Sequence, residues 1–198
     1  LDAPSSWGIG VVVMWNYYAD IHDNRITDAR IGVQTNYFFK TAPVPADARI
    51  ADNQITATVV GIYHNYHTAD QTQASPFAIT GNAVEANPNP AGSGVWSGIF
   101  IQALYDASSA TVTGNAVDGA ALAGSGRLRT GYSTGAIFTS QAATLAIDGG
   151  SVAHVDYGVF ATDGAYFAGR VDDYIVRNVA FSDVSIGAIA VEDTRLAG

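Results

Sequence analysis

The apolar positions of this chain recur on a fixed plan. Aliphatic residues alternate with polar ones at a spacing of two in short runs, and Gly and Asn separate the runs. The stretch IADNQITATVVGIYHN (Ile50 to Asn65) has an upstream match of equal length in IHDNRITDARIGVQTN (Ile21 to Asn36). Shorter echoes follow: ITGNAV at Ile79, VTGNAV at Val112, IDGGSV at Ile147 and IVRNVA at Ile175. One column aligns Asn24, Asn53, Asn82, Asn115, Gly150 and Asn178, at successive separations of 29, 29, 33, 35 and 28 residues. Three positions before it stand Ile21, Ile50, Ile79, Val112, Ile147 and Ile175. Two positions after it stand Ile26, Ile55, Val84, Val117 and Val152, and the last unit slips to offer Ala180 and then Phe181. Each unit then carries a glycine (Gly32, Gly61, Gly98, Gly135, Gly158, Gly187) followed by a short β-rich run.

Self-similarity at a fixed period is the signature of a solenoid. Two-residue alternation and enrichment in Ile, Val, Thr and aromatic residues predict strands, one coil per unit. Six to seven coils stacked at ~4.8 Å give a rod roughly 30 Å long. The aliphatics of each "I-x-x-N-x-I" phrase are expected inside, and the Asn is expected at a bend. There it would tolerate a left-handed backbone and bond the neighbouring coil through its amide. Gly150 would supply the same backbone freedom.

The "I-x-x-N-x-I … G-I" phrase covers nearly the whole chain and resembles the rung repeat of the right-handed parallel β-helix superfamily, which includes pectate lyases, phage tailspikes and bacterial surface passengers. The resemblance implies an all-β right-handed parallel β-helix across residues 1–198 as a single domain. It also implies an association with carbohydrate. It does not choose an activity, because lyases, hydrolases, epimerases, adhesins and spacers share the phrase. WGIGVVVMWN resembles the second half of a unit whose first half is missing, so the chain reads as a piece of a longer protein.

Aligning the run after each glycine, with one extra residue at Gly135 and Gly187, gives an inward column of Val11, Val33, Ile62, Ile99, Ile137, Val159 and Ile189. The next, outward residues are Val12, Gln34, Tyr63, Phe100, Phe138, Phe160 and Ala190. Two positions beyond Tyr63 and Phe100 come Asn65 and Gln102. Four successive outward aromatics are unusual on a solvated face. Long Pro- and Gly-containing segments, Asn36 to Arg49, Asn65 to Phe77, Glu85 to Trp96 and Asp118 to Ser133, flank this strand. Insertions on one side of a solenoid often mark its binding side. A groove follows, floored by Tyr63, Phe100, Phe138 and Phe160, with Asn65, Gln102, Trp96 and His67 beside it. Aromatic rings suit the C–H faces of sugars, and amides suit their hydroxyls. Two other readings use the same residues: loops folded down over the aromatics, or burial of the strand against sister subunits or neighbouring domains.

Composition narrows the partners. The 198 residues are 48% apolar and 14% charged, with net charge −9, one lysine (Lys40) and eight arginines. Without a basic run, nucleic acid is not expected as a partner. No apolar run is long enough to span a bilayer as a helix, so membrane insertion is not expected either. The absence of cysteine excludes disulfides and thiolate metal sites.

Candidate chemistry is sparse. Of His22, His64, His67 and His154, His64 falls on an inward column with Thr35, Ile101 and Thr139, and reads as a satisfied interior histidine. His67 reads as a solvated loop residue. No zinc-ligand spacing and no calcium-loop pattern occurs, so neither a metal nor a cofactor is expected. Asp172 and Asp173 sit in a turn before a strand on this reading. Asp70 and Glu85 could face each other across the groove as the carboxylate pair of a glycosidase. RLRTGY (Arg127 to Tyr132) could supply Arg129 and Tyr132 to a β-eliminating lyase. The Thr pairs Thr80/Thr113 and Thr27/Thr56 do not extend into the ladder an ice-binding face would need. The expectation is therefore an extracellular or cell-surface β-helix that binds polysaccharide along the aromatic strand. Its alternatives are a polysaccharide lyase or glycoside hydrolase in the same groove, and a structural stalk, adhesin or tailspike-like segment.

Overall fold

The structure is a computed structural model that describes residues 8–15, 19–40, 48–68, 78–88, 94–102, 109–134, 143–162, 171–191 and 196–197. The strands are β1 (Ile9–Trp15), β2 (Asp20–His22), β3 (Arg25–Lys40), β4 (Arg49–Ala51), β5 (Gln54–Thr68), β6 (Ala78–Thr80), β7 (Ala83–Ala86) and β8 (Val95–Gln102). They continue as β9 (Ser109–Thr113), β10 (Ala116–Asp118), β11 (Leu128–Thr134), β12 (Ala143–Asp148), β13 (Ser151–Thr162), β14 (Val171–Arg177), β15 (Ala180–Val191) and β16 (Leu196–Ala197). All pair in parallel, and the fold is a parallel β-helix.

Each full coil runs through three segments. The first segments (β2, β4, β6, β9, β12, β14, β16) form a seven-stranded sheet. The second segments are β7, β10 and the beginnings of β3, β5, β13 and β15. The third are β1, β8, β11 and the ends of those four long strands. Second and third segments together make a nine-stranded sheet that bends at a corner. The long strands pass that corner unbroken, with Asp28, His154 and Asp183 taking left-handed φ of 57°, 53° and 51° in β3, β13 and β15. Two coils carry insertions there instead, between β7 and β8 and between β10 and β11.

Three aliphatic columns fill the interior. Ile21, Ile50, Ile79, Val112 and Ile147 align down the first segment, and Ile26, Ile55, Val84, Val117 and Val152 down the second. Down the third run Val33, Ile62, Ile99, Tyr132 and Val159. All are buried, and each contributes roughly 1.5–3 kcal/mol. Phe181 continues the second column but is 40% exposed, because β15 has no further strand beyond it among the described residues.

The third column corrects the sequence alignment in two places. The strand of the Asn115 unit is β11, so Gly131 and Tyr132 hold the positions expected of Gly135 and Ile137. Its outward residue is Ser133, which pairs with both Phe100 and Phe160. In the last unit Ala188, not Ile189, pairs with Val159, and Ile189 pairs with Phe160. No extra residue is needed at Gly187.

The asparagine ladder forms as expected in four units. The backbone N–H and the side-chain amide of Asn24, Asn53 and Asn82 each donate to Oδ1 of the next asparagine, at 2.9–3.1 Å. The second amide hydrogens of Asn53, Asn82 and Asn115 go to the carbonyls of Ile21, Ile50 and Ile79 at 2.9–3.0 Å. These bonds satisfy buried donors at the bend, where an unpaired one would cost about 1–3 kcal/mol. The left-handed residue, however, is the one before the asparagine: Asp23, Asp52, Gly81 and Gly114. The ladder stops at Gly150, where φ is +83° and a Cβ would collide with the Asn115 backbone. In the last unit Arg177 pairs with Asp148 and Val176 with Ile147, so Asn178 falls in the left-handed column and Val179 in the ladder column.

The glycine column exists for a different reason from the turns. Gly10, Gly32, Gly61, Gly98 and Gly131 lie directly against an Ile or Val side chain of the next coil's second segment. A Cβ on Gly61 would run into Val84 Cγ1 and would sit 2.6 Å from the Gly98 carbonyl oxygen, which is strand backbone and cannot yield. Gly187, in the last third segment, has nothing within 4 Å of that position. Gly61→Ala is therefore expected to destabilise by about 1–3 kcal/mol or more, while Gly187→Ala stays within about 0.5 kcal/mol of wild type. Urea or thermal unfolding of the two variants checks this, and equal losses would refute the notch.

Candidate functional site

The outer face of the third segment begins with Gln34, Tyr63, Phe100, Ser133 and Phe160 on successive coils. Tyr63 and Phe100 stack with centroids 5.3 Å apart and planes 11° apart, and both are half-buried. The Tyr63 hydroxyl donates to Gln102 Oε1, and the Asn65 amide approaches the same hydroxyl at 3.5 Å. Burial raises the Tyr63 pKa above the usual phenol value, with Asn65 opposing the shift. Ser133 breaks the aromatic row. Its Oγ lies 2.6 Å from Ser97 Oγ, so its short side chain turns to its neighbour and leaves the Phe100 face on that side without an aromatic partner among the described residues. Phe160 instead meets Tyr157, with centroids 5.3 Å apart and planes tilted 45°.

Of the other residues expected in the groove, Trp96 is placed elsewhere. Trp96 is fully buried, and its indole N–H donates to the Ala57 carbonyl at 3.0 Å, which ties the start of β8 to β5. Asn65 is buried at 6% exposure. Phe138 and Asp70 lie outside the described residues, as does the side chain of His67, whose backbone belongs to β5. The Asp172–Asp173 pair lies within β14, not in a turn before it.

The catalytic quartet is not assembled by its described members. Glu85 is exposed on the second segment, where it pairs with Thr56 and Asp118. Arg129 forms a two-pronged ion pair with Asp156 (Nη2–Oδ1 3.0 Å, Nε–Oδ2 3.3 Å), and that carboxylate also accepts the Arg129 backbone N–H at 2.8 Å. These bonds hold Asp156 below the usual carboxylate range. Tyr132 points inward at 2% exposure, and burial drives its pKa well up, partly opposed by the nearby Asn115 amide. Its hydroxyl makes no hydrogen bond of ordinary geometry among the described residues.

Three groups at the corner stand out, of which only Arg127 lies in a stretch singled out by sequence. Arg127 reaches across to donate to the Thr58 carbonyl at 2.6 Å, and burial lowers its pKa. With Leu122, Arg129 and Asp156 it lines a cavity of about 360 Å³. His154 stands between two carboxylates of neighbouring coils, Nδ1 2.9 Å from Asp118 and Nε2 3.3 Å from Asp183. Asp28 accepts the Asn87 amide. Their common signal is a polar residue at or beside the second-to-third corner, which could be read only once the insertions were aligned. Among the described residues no cluster of three or more His, Asp or Glu has the arrangement of a metal site. No described helix is long and apolar enough to cross a membrane.

No protein-family model, curated protein or solved structure matches this chain. The parallel β-helix architecture is therefore established by its own strand ladders, and the resemblance to the pectate-lyase-containing superfamily extends to the architecture alone.

His64 is an interior histidine as expected. It is 1% exposed, stacked between Thr35 and Ile101, with Nδ1 2.7 Å from Thr35 Oγ1. Thr134 takes the place in this column expected of Thr139. Burial lowers the His64 pKa from 6.5 to about 3. Between these values the unfolded chain binds a proton that the folded chain does not. Stability is thus full above pH 6.5 and falls as the pH drops toward 3, by up to about 1.4 kcal/mol per pH unit. Thermal midpoints measured from about pH 7.5 to 4.5 should fall less steeply in His64→Ile than in wild type. Parallel slopes would contradict it. Tyr132→Phe, which removes a poorly bonded buried hydroxyl, should leave the midpoint unchanged or raise it; a fall of several degrees would show that the hydroxyl is well bonded.

Proposed function

We propose that this chain is a polysaccharide-binding β-helix module, acting outside the cell or at its surface, that takes saccharide on the outer face of the third segment. The observation that carries the reading is the interruption of the aromatic column by Ser133. Phe100 and Phe160 stand two coils apart, about 9.6 Å along the axis at ordinary strand spacing. With only a serine between them, that interval accepts a flat apolar ring face against Phe100. The stacked Tyr63 backs Phe100 from the other side and keeps it from rotating. The amide of Gln102 sits at the edge, where sugar hydroxyls would lie.

Binding without cleavage is the better reading. Glu85, Arg129 and Tyr132 occupy an outer second-segment face, an ion pair and the interior respectively. A glycosidase needs two carboxylates facing each other roughly 5–9.5 Å apart, and a lyase needs a base beside an unpaired cation.

Native electrophoresis through gels cast with acidic and neutral polysaccharides tests the proposal. Wild type is expected to be retarded by at least one polymer. A folded Tyr63→Ala/Phe100→Ala double variant should run free, and Ser133→Trp, which fills the interval, should lose retardation as well. Unretarded migration of wild type in every gel, or retardation untouched by these changes, would overturn it. Release of reducing or unsaturated ends from a retarding polymer would replace binding with catalysis.

A further inference from the structure

The second segment carries an outward set of polar side chains that the fold does not use. Each of Asn24, Asn53 and Asn82 is followed by an outward residue, which gives the column Arg25, Gln54 and Ala83. Two positions on, Thr56 and Glu85 form a second outward column, and Thr27 of β3 lines the same groove. Between them lies a groove of about 390 Å³, floored by strand backbone. Arg25, Gln54 and Glu85 are exposed, and among the described residues none of these three side chains has a hydrogen-bond or ion-pair partner. Thr56 Oγ1 accepts the Asp28 N–H at 3.3 Å, which leaves its own hydrogen to donate. Ala83 is short, so the groove stays open opposite Glu85.

The groove is preorganised by the asparagine ladder. The Gln54 and Ala83 N–H groups donate to the carbonyls of Asn24 and Asn53 at 2.8 Å, and the ladder bonds fix the preceding residue of each column member. The backbone that carries the lining is thus fixed before binding, and the remaining cost is the ordering of the side chains themselves.

The chemistry of the lining selects the ligand. Arg25 offers five N–H donors, Glu85 only acceptors, and the Gln54 amide both, with Arg25 and Glu85 about 9.6 Å apart along the axis. A chain of hydroxyls complements that order, because each hydroxyl accepts at one end and donates at the other, and a vicinal diol can engage a guanidinium or a carboxylate with two bonds at once. A net charge of −9 opposes a polyanion and leaves a neutral ligand unaffected. We infer that this groove is a binding site for a neutral saccharide of about one or two rings, with Arg25 and Gln54 donating and Glu85 accepting. The site lies on a different segment from Phe100 and stands whether or not that residue binds sugar.

Calorimetric titration and saturation-transfer NMR of the whole chain with neutral malto-, cello-, xylo- and manno-oligosaccharides, with glucuronate as the anionic control, test it. At least one neutral oligosaccharide should bind. Its affinity should drop by about tenfold or more in Glu85→Ala and in Arg25→Ala, with circular dichroism and thermal midpoint unchanged because both residues are exposed. It should be unaltered in Tyr63→Ala/Phe100→Ala. Three outcomes would each overturn the site: no saturable binding by any neutral member, tighter binding of glucuronate than of every neutral sugar, or binding lost in the Tyr63/Phe100 variant and kept in Glu85→Ala. The last would assign the sugar to the third segment alone. Binding that depends on Glu85 and Arg25 but not on the two aromatics would support this groove and leave the Phe100 reading to its own gel test.

Discussion

A side-chain methyl standing where a β-carbon would otherwise be ties each coil of this solenoid to the next. Five glycines, Gly10 to Gly131, leave that space, and Ile26, Ile55, Val84, Val117 and Val152 of the following coil enter it. Apolar burial is non-directional and would tolerate a slipped strand. A notch that admits one side chain does not, because a slip of one residue would turn the aliphatic outward and drive a Cβ into backbone. The asparagine ladder is the polar counterpart, one residue before the groove-lining column of the second segment. The two constraints act on the same inward side at the start of the second segment, two residues apart, and together they fix its register.

That rigidity decides where chemistry can be placed. Inward positions are committed to the columns, and ladder positions are committed to the bends. The insertion between β10 and β11, and the start of β8, are spent on closing their corner. Trp96 bonds Ala57, Leu122 is buried, and Arg127 reaches Thr58. The outer faces of the segments remain, where side chains stand at regular spacing on hydrogen-bonded strand backbone. A binding surface built there inherits the period of the coil, which suits a ligand that is itself a repeat.

The period, the parallel β-helix, the ladder through Asn115 and the interior placement of His64 were all legible in the residues, because each is written several times over and a single misreading is outvoted. The failures fall where a unit is irregular. GYST and GAIFTS both offer a glycine before an apolar residue, and the expected choice was Gly135 with Ile137. The chain uses Gly131 with Tyr132 because β11 pairs with β8 after a shorter insertion. That one choice removes Phe138 from the column and puts Ser133 there, and it turns Tyr132 from a groove residue into core. The slip at Asn178 has the same origin: Arg177 pairs with Asp148, so the asparagine lands one place early.

The repeat, the strand class and the residue types lining the interior can be read from the residues alone, since those follow from spacing and from the cost of burying polar groups. Which glycine meets which methyl, which of two candidate strands enters the sheet, and that Arg25, Gln54 and Glu85 share one groove emerge once the chain has folded. These are relations between residues about 16 to 60 positions apart, set by how much chain each corner absorbs, and the length of an insertion carries no mark of where it folds back.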